Sequence, residues 1–257
     1  GGLTKQRWIM SKKDNSELIG EIFPSNKYGD FQIIGYSNFN DVTIKFLDSG
    51  FVRKATLNAI KKGHLKDTSK PTVYGVGYLS EDSKTRDENG KVLKEYSIWK
   101  RMLERCYDLK SQRNRSSYIG CEVSENFKSF EYFSNWCRNQ IGFNKDFELD
   151  KDLLISNNKI YSEENCVFLP KLINSSIAKR GNKKYGEMGV RVRENSKKFK
   201  AEIRCSSIDR HLGVFDSREQ AFLAYKSARE NYVKKLAEEW RSEIDPRAYN
   251  ALMNFEV

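Results

Sequence analysis

No run of about 18 apolar residues occurs anywhere in the 257-residue chain, so the sequence offers no membrane-spanning helix. The first 20 residues also lack the apolar core of a secretory signal. Gly1 and Gly2 are expected to be an expression scar at the head of a flexible start over residues 1–18. Histidine is scarce, with His64 and His211 alone, which excludes histidine-rich metal chemistry. Cysteine is sparse and odd in number: Cys106, Cys121, Cys137, Cys166 and Cys205 stand far apart with no Cys-x-x-Cys pair. That argues against a zinc knuckle and for reduced, buried thiols, while a dispersed metal site or a disulfide among the first four stays open. Acidic charge is in deficit, 35 residues against 46 basic ones, for a net charge of +11. The excess favours a polyanionic partner such as nucleic acid, although charge alone does not separate nucleic acid from an anionic membrane. A soluble intracellular protein is the expectation.

The apolar share is 38%, with 12% aromatic, enough for compact cores. Between Ile19 and Leu79, Phe31 and Ile33, then Val42, Ile44 and Phe46, alternate with polar neighbours, the period of a half-buried sheet. A short helix through Leu57 and Ile60 is expected to end on Gly63, and Val73–Tyr78 to add a strand. Ser80 to Gly90 carries six charged residues and no aliphatic one, the composition of an exposed linker. Helical spacing then relates Ile98, Trp99, Met102, Leu103 and Cys106, and again Phe127, Phe130, Ser134 and Cys137, predicting two amphipathic helices. Asp108 to Tyr118 reads as a loop whose Lys110, Arg113 and Arg115 either touch phosphate or are simply solvated. Lys54, Lys61, Lys62, His64 and Lys66 form a second basic patch, open to the same two readings.

Residues 179–204 hold ten basic side chains against three acidic ones. Gly189–Glu194, Phe199–Cys205 and His211–Phe215 read as three short strands, and Ser217–Glu239 as a helix with Ala221, Ala224, Tyr225 and Ala228 on one face and Ser217 as its N-cap. Period two puts Arg191 and Arg193 on one face of their strand, and Lys200, Glu202 and Arg204 on one face of the next. Those residues suit both groove reading and plain solubility.

The run Gly189-Val190-Arg191-Val192-Arg193, Lys198-Phe199-Lys200-Ala201-Glu202-Ile203-Arg204, Leu212-Gly213-Val214-Phe215 and the helix after it resembles the plant Apetala, or ethylene-response-factor, DNA-binding domain. The resemblance implies a three-stranded sheet in the major groove of double-stranded DNA, contacted by Arg191, Arg193, Lys198, Lys200, Glu202, Arg204 and Arg210. Phe199 and His211 stand where that family has Trp, so its base preference does not carry over.

Residues 149–174 are similar to an HNH nuclease motif, in which a β-hairpin and a helix hold one divalent metal. The resemblance implies Asp150 as first metal ligand, Asn165 as the central asparagine and Asn174 as helical ligand, with Mg²⁺ or Mn²⁺ as cofactor. Lys151 stands where the family has its general-base histidine, and a protonated lysine cannot accept a proton from water. That leaves Asp152 as base or second ligand, or Lys151 as a stabiliser of the phosphorane charge. The upstream pattern Tyr96, Trp99, Met102, Leu103, Arg105, Cys106 and Tyr107, then Tyr118, Gly120 and Val123, then Phe130, Phe133 and Trp136, is similar to phage-encoded HNH-like proteins. The combination implies a homing-type endonuclease acting as a monomer in the cytoplasm of a bacterial host, or a catalytically inactive relative that regulates by binding DNA. A protein-interaction factor that meets an acidic partner is the rival outside that class.

The chain is therefore expected to be a multidomain α+β protein. Its parts would be a flexible start (1–18), a small β-rich module (19–79), a linker (80–95), a helical HNH-like segment (96–178), an Apetala-type domain (179–245) and a tail (246–257).

Overall fold

The computed structural model describes residues 16–178, 189–193, 196–205 and 208–257. The basic residues at 179–188 and the strand end expected at Glu194 lie outside them. The chain divides between Ser83 and Lys84 into two compact units.

In the first unit the alternating residues become an antiparallel meander of β1 (Ile22–Ser25), β2 (Gly29–Asn38), β3 (Asp41–Phe46) and β4 (Val52–Ala55). Phe31, Ile33, Val42, Ile44 and Phe46 are wholly buried on one face, as a two-residue period requires. Thr56 caps α1 (Leu57–Lys61) by accepting from the Ala59 amide. The helix ends in a Schellman motif: Gly63 N–H donates to Ile60 O and His64 N–H to Ala59 O, with Gly63 at φ +64°. A Cβ at Gly63 would lie 2.9 Å from the Pro24 carbonyl, a second reason for glycine there. Val73–Tyr78 is not a strand. Tyr74 and Gly75 both take positive φ and fold the segment into a tight turn closed by one Val73–Gly77 bridge. Residues 16–83 carry eight basic and eight acidic side chains, so the chain's positive excess lies elsewhere.

The second unit begins inside the expected linker. Arg86 bridges Val92, and Asp87 accepts from the amides of Asn89 and Lys91, both at 2.9 Å. Then comes α2 (Lys94–Tyr107), which buries Trp99, Met102, Leu103 and Cys106, the residues at helical spacing. The loop expected after it is partly helical: Asp108 accepts from Ser111 N–H and starts α3 (Leu109–Asn114). β5 (Glu122–Val123) follows, and the second amphipathic helix is split in two, α4 (Glu125–Lys128) and α5 (Phe130–Arg138). Ser124 caps the first and Ser129 the second, so Ser129 interrupts a periodicity that reads as continuous. Trp99 Nε1 donates to Phe127 O at 2.7 Å and locks α2 to α4. Trp99, Phe127, Phe133 and Phe168 are fully buried, and each contributes roughly 1.5–3 kcal/mol by leaving water.

β6 (Glu148–Asp150) pairs antiparallel with β8 (Val167–Leu169), while β7 (Ile160–Tyr161), in the loop between them, lies parallel to β5. α6 (Lys171–Ile177) follows β8 directly. The C-terminal sheet has the order β11-β10-β9, from β9 (Val190–Val192), β10 (Phe199–Cys205) and β11 (Ile208–Phe215). Ser217 caps α7 (Arg218–Glu239) as expected, accepting from Gln220 N–H. The tail expected at 246–257 holds α8 (Pro246–Met253), with Pro246 in its first turn and Ala248 and Leu252 fully buried. The protein is thus α+β, with a four-stranded antiparallel sheet near its N-terminus and a three-stranded one near its C-terminus. Among the described residues no helix is long and apolar enough to cross a membrane.

Candidate functional site

The C-terminal sheet has an inner and an outer face. Val190, Ala201 and Ile203 are buried on the inner face, and Val190 and Ala201 cluster with Ala221 of α7. Phe199 packs half-buried against that cluster. Side chains at intervening positions turn outward. Arg191 stands opposite Lys200, and the Arg193 amide donates to Lys198 O at 3.0 Å, so Arg191, Arg193, Lys198, Lys200, Glu202 and Arg204 share the outer face. Three carboxylates are threaded among its five cations: Lys198 pairs with Asp216 at 3.0 Å, Arg204 with Asp209 at 3.2 Å, and Glu202 with both Lys200 and Arg204. The hydrogen bond from Lys200, with the charges of Lys200, Arg204 and Arg191, holds the Glu202 carboxyl below its ordinary range.

Arg210 does not join this face. Ala201 pairs with Gly213 but Glu202 with His211, so Leu212 is the extra residue of a β-bulge. The one-residue shift sets Arg210 opposite Ile203, on the helix side of the sheet, and brings Asp209 and His211 to the outer face.

Around β6 the residues that the HNH resemblance groups each take a distinct set of partners. Asp150 Oδ1 accepts from the amides of Asp152 (2.9 Å) and Leu153 (2.7 Å), closing a turn. Burial raises the Asp150 pKa, against the pull of those two N–H groups. Lys151 turns inward and is 5% exposed. Its ammonium donates to Asn158 O at 2.8 Å and to the Asp152 carboxylate, and lies 5.7 Å from the Tyr161 ring centre. It is engaged within the loop as a donor, so the position of the family's base holds a structural staple. Asp152 keeps its side chain 57% exposed. Asn165 orients the loop, donating to Asn158 Oδ1 at 3.3 Å and Ile160 O at 3.4 Å. Asn174, on α6, donates to Glu148 Oε2 at 2.9 Å.

Glu148 and Asp150 sit two residues apart on β6 and so share a face, with Asn174 beside Glu148. Two carboxylates and an amide oxygen are hard donors of the kind Mg²⁺ or Mn²⁺ takes, completed by water and phosphate. They do not suit zinc, and among the described residues no three His, Cys, Asp or Glu gather into a metal-holding group. Cys106, Cys121, Cys137 and Cys166 are buried and unbridged, and burial pushes the Cys106 thiol up to about 12. The side chain of Cys205 lies outside the described residues.

Three residues that carry this region are given no role by the resemblance. Asn158 donates from Nδ2 to Lys151 O and Ile160 O, both at 2.7 Å, and accepts on Oδ1 from Ile160 N–H at 3.0 Å, so its whole amide knits the loop. Arg247, from α8, donates to the carbonyls of Glu163, Glu164 and Cys166, which bracket Asn165. Glu148 precedes the Asp-Lys-Asp run by two residues on its strand, and that two-residue spacing to Asp150 is the signal that finds it. Comparison with protein-family models, with curated proteins and with solved structures returned no match.

Proposed function

We propose that the chain binds double-stranded DNA along the outer face of β9–β11 and cleaves a nearby phosphodiester at the Glu148–Asp150–Asn174 edge, as a phage homing-type endonuclease acting as a monomer in the bacterial cytoplasm. The observation that carries the reading is the outer sheet face, where five cationic heads stand on one surface with α7 behind it. Arginine forks bind guanine O6 and N7 or clamp phosphate, and lysines meet phosphate as point charges. Glu202, engaged by Lys200 and Arg204, orders those two cations. Phosphate oxygens replace Asp209 and Asp216 as partners of Arg204 and Lys198 when a duplex docks, which makes binding salt-sensitive.

At the edge, Asp150 and Asn174 would hold Mg²⁺ or Mn²⁺ with Glu148 beside them, and the ion supplies Lewis acidity and an acidified water. The chain's own residues divide the remaining work. Asp152 is the exposed carboxylate next to the turn and takes the proton from water, while Lys151 and Asn158 keep the loop in shape.

Incubation with supercoiled DNA and Mg²⁺ or Mn²⁺, beside an EDTA control and Asp150→Ala, tests this. Nicks or breaks that require both metal and Asp150 support it. Intact DNA with salt-sensitive binding leaves the second reading, a catalytically silent DNA-binding regulator, which the inward engagement of Lys151 favours. Absence of salt-dependent duplex binding refutes both and returns the basic surface to an acidic protein partner.

A further inference from the structure

Helix α7 serves two parts of the second unit with one buried stripe. Ala221, Tyr225, Arg229, Val233, Leu236 and Ala237 recur at helical spacing along its 22 residues, a span of about 33 Å. Its first turns cover the sheet: Ala221 meets Val190 and Ala201, and the Tyr225 ring lies where a Cβ on Gly189 would be, at 2.0 Å. Its far end reaches the acidic edge, where Trp240 packs edge-on against Phe147, the residue before β6, at 5.8 Å between ring centres.

Between these contacts sits Arg229, 3% exposed on a stripe otherwise made of apolar side chains and one tyrosine. Its guanidinium donates to Ser176 O at 3.0 Å, in the last turn of the helix that carries Asn174, to Ala178 O at 2.8 Å, on that helix's C-cap, and to Tyr225 Oη at 3.1 Å. Carbonyls at a helix C-terminus lack intrahelical donors and carry the negative end of the helix dipole, so a buried guanidinium is a matched partner. A flexible tether would not require an arginine to be buried against the end of the neighbouring helix, because desolvating that charge is costly without such acceptors.

We infer that Arg229 is a positioning residue that joins the C-terminal sheet to α6 as one body, so that a duplex held on the outer face is presented to the Glu148–Asp150–Asn174 edge at a single fixed offset. The offset rests on the proposed function, and the joining does not. Hydrogen exchange read by mass spectrometry tests the joining without DNA. In the unaltered protein, amides of β10 and α6 open together. In Arg229→Met their protection falls by about tenfold or more, while that of α2 and α5 holds. Independent opening of the sheet in the unaltered protein overturns the inference, and so does an equal loss in all elements of the variant. Should Arg229→Met not fold, Arg229→Lys, which keeps the charge but not the fork, gives a smaller loss in the same two elements.

Photo-crosslinking to duplex from positions 191 and 152 then reads the offset. One spacing between the two crosslinks is expected in the unaltered protein and a spread of spacings in Arg229→Met. A spread in both overturns the fixed offset. No duplex binding at all, with joint exchange intact, removes the DNA reading and the offset together and leaves the joining established.

Discussion

Replacing Lys151 with methionine separates its structural role from a chemical one. Methionine keeps most of the buried stem and its volume but removes the three donors. The Asn158 carbonyl then loses its 2.8 Å partner inside the fold, which costs about 1–3 kcal/mol. The pair with Asp152 adds at most about 1 kcal/mol, because that carboxylate is 57% exposed and screened. Relief of the ammonium's desolvation returns part of this, so a net loss of about 2 kcal/mol is expected. For a folded unit of this size that is a fall of roughly 4–8 °C in the unfolding temperature of the second unit, read by calorimetry. Asn158→Asp provides a companion variant, since it alters the same loop from the other side. An unchanged or higher Tm in Lys151→Met would refute the staple. Unchanged Tm with abolished metal-dependent cleavage would instead put the amine at the chemistry.

Asp150→Asn should stabilise the protein at neutral pH, since its amide oxygen can still accept the two turn amides while the buried charge is gone. The Asp150 pKa is raised in the folded state, so its charged form opposes folding above that pKa, and the advantage of asparagine should shrink as pH falls through it; a constant advantage down to pH 3 would contradict this. Gly189→Ala drives a Cβ into the Tyr225 ring and asks alanine to hold φ +74°, so a loss of about 2–4 kcal/mol in denaturant unfolding is expected, and a loss below about 0.5 kcal/mol would mean that the sheet does not approach α7 this closely. Arg191→Ala should weaken duplex binding by about 1–3 kcal/mol if it contacts a base, whereas Arg210→Ala, on the other side of the sheet, should leave fluorescence-anisotropy affinity nearly unchanged; the reverse order would put the wrong face on DNA.

The sequence by itself determined the elements whose cause is local. Alternation at Phe31, Ile33, Val42, Ile44 and Phe46 requires a one-sided sheet, Gly63 past Ile60 supplies the left-handed residue that ends α1, and Ser217 caps α7. It also carried the period-two placement of Arg191, Arg193, Lys200, Glu202 and Arg204, because a strand without interruption fixes which side chains share a face. Where two local rules compete, only the folded chain chose between them. Ser129 could sit within a helix or cap one, and the packing of Phe127 and Phe133 against each other and Trp136 made it a cap. The bulge at Leu212 depends on how β11 lies against β10, and that pairing alone moved Arg210 across the sheet. Nothing local in the sequence marks Lys151, Asn158 and Arg229 for burial, because charge and amide groups are ordinarily solvated. Their burial is decided by acceptors that arrive from distant or looped segments: the carbonyl of Asn158 for Lys151, the backbone of Lys151 and Ile160 for Asn158, and the end of α6 for Arg229. A polar side chain can leave water only where such partners converge, and convergence is a property of the tertiary fold.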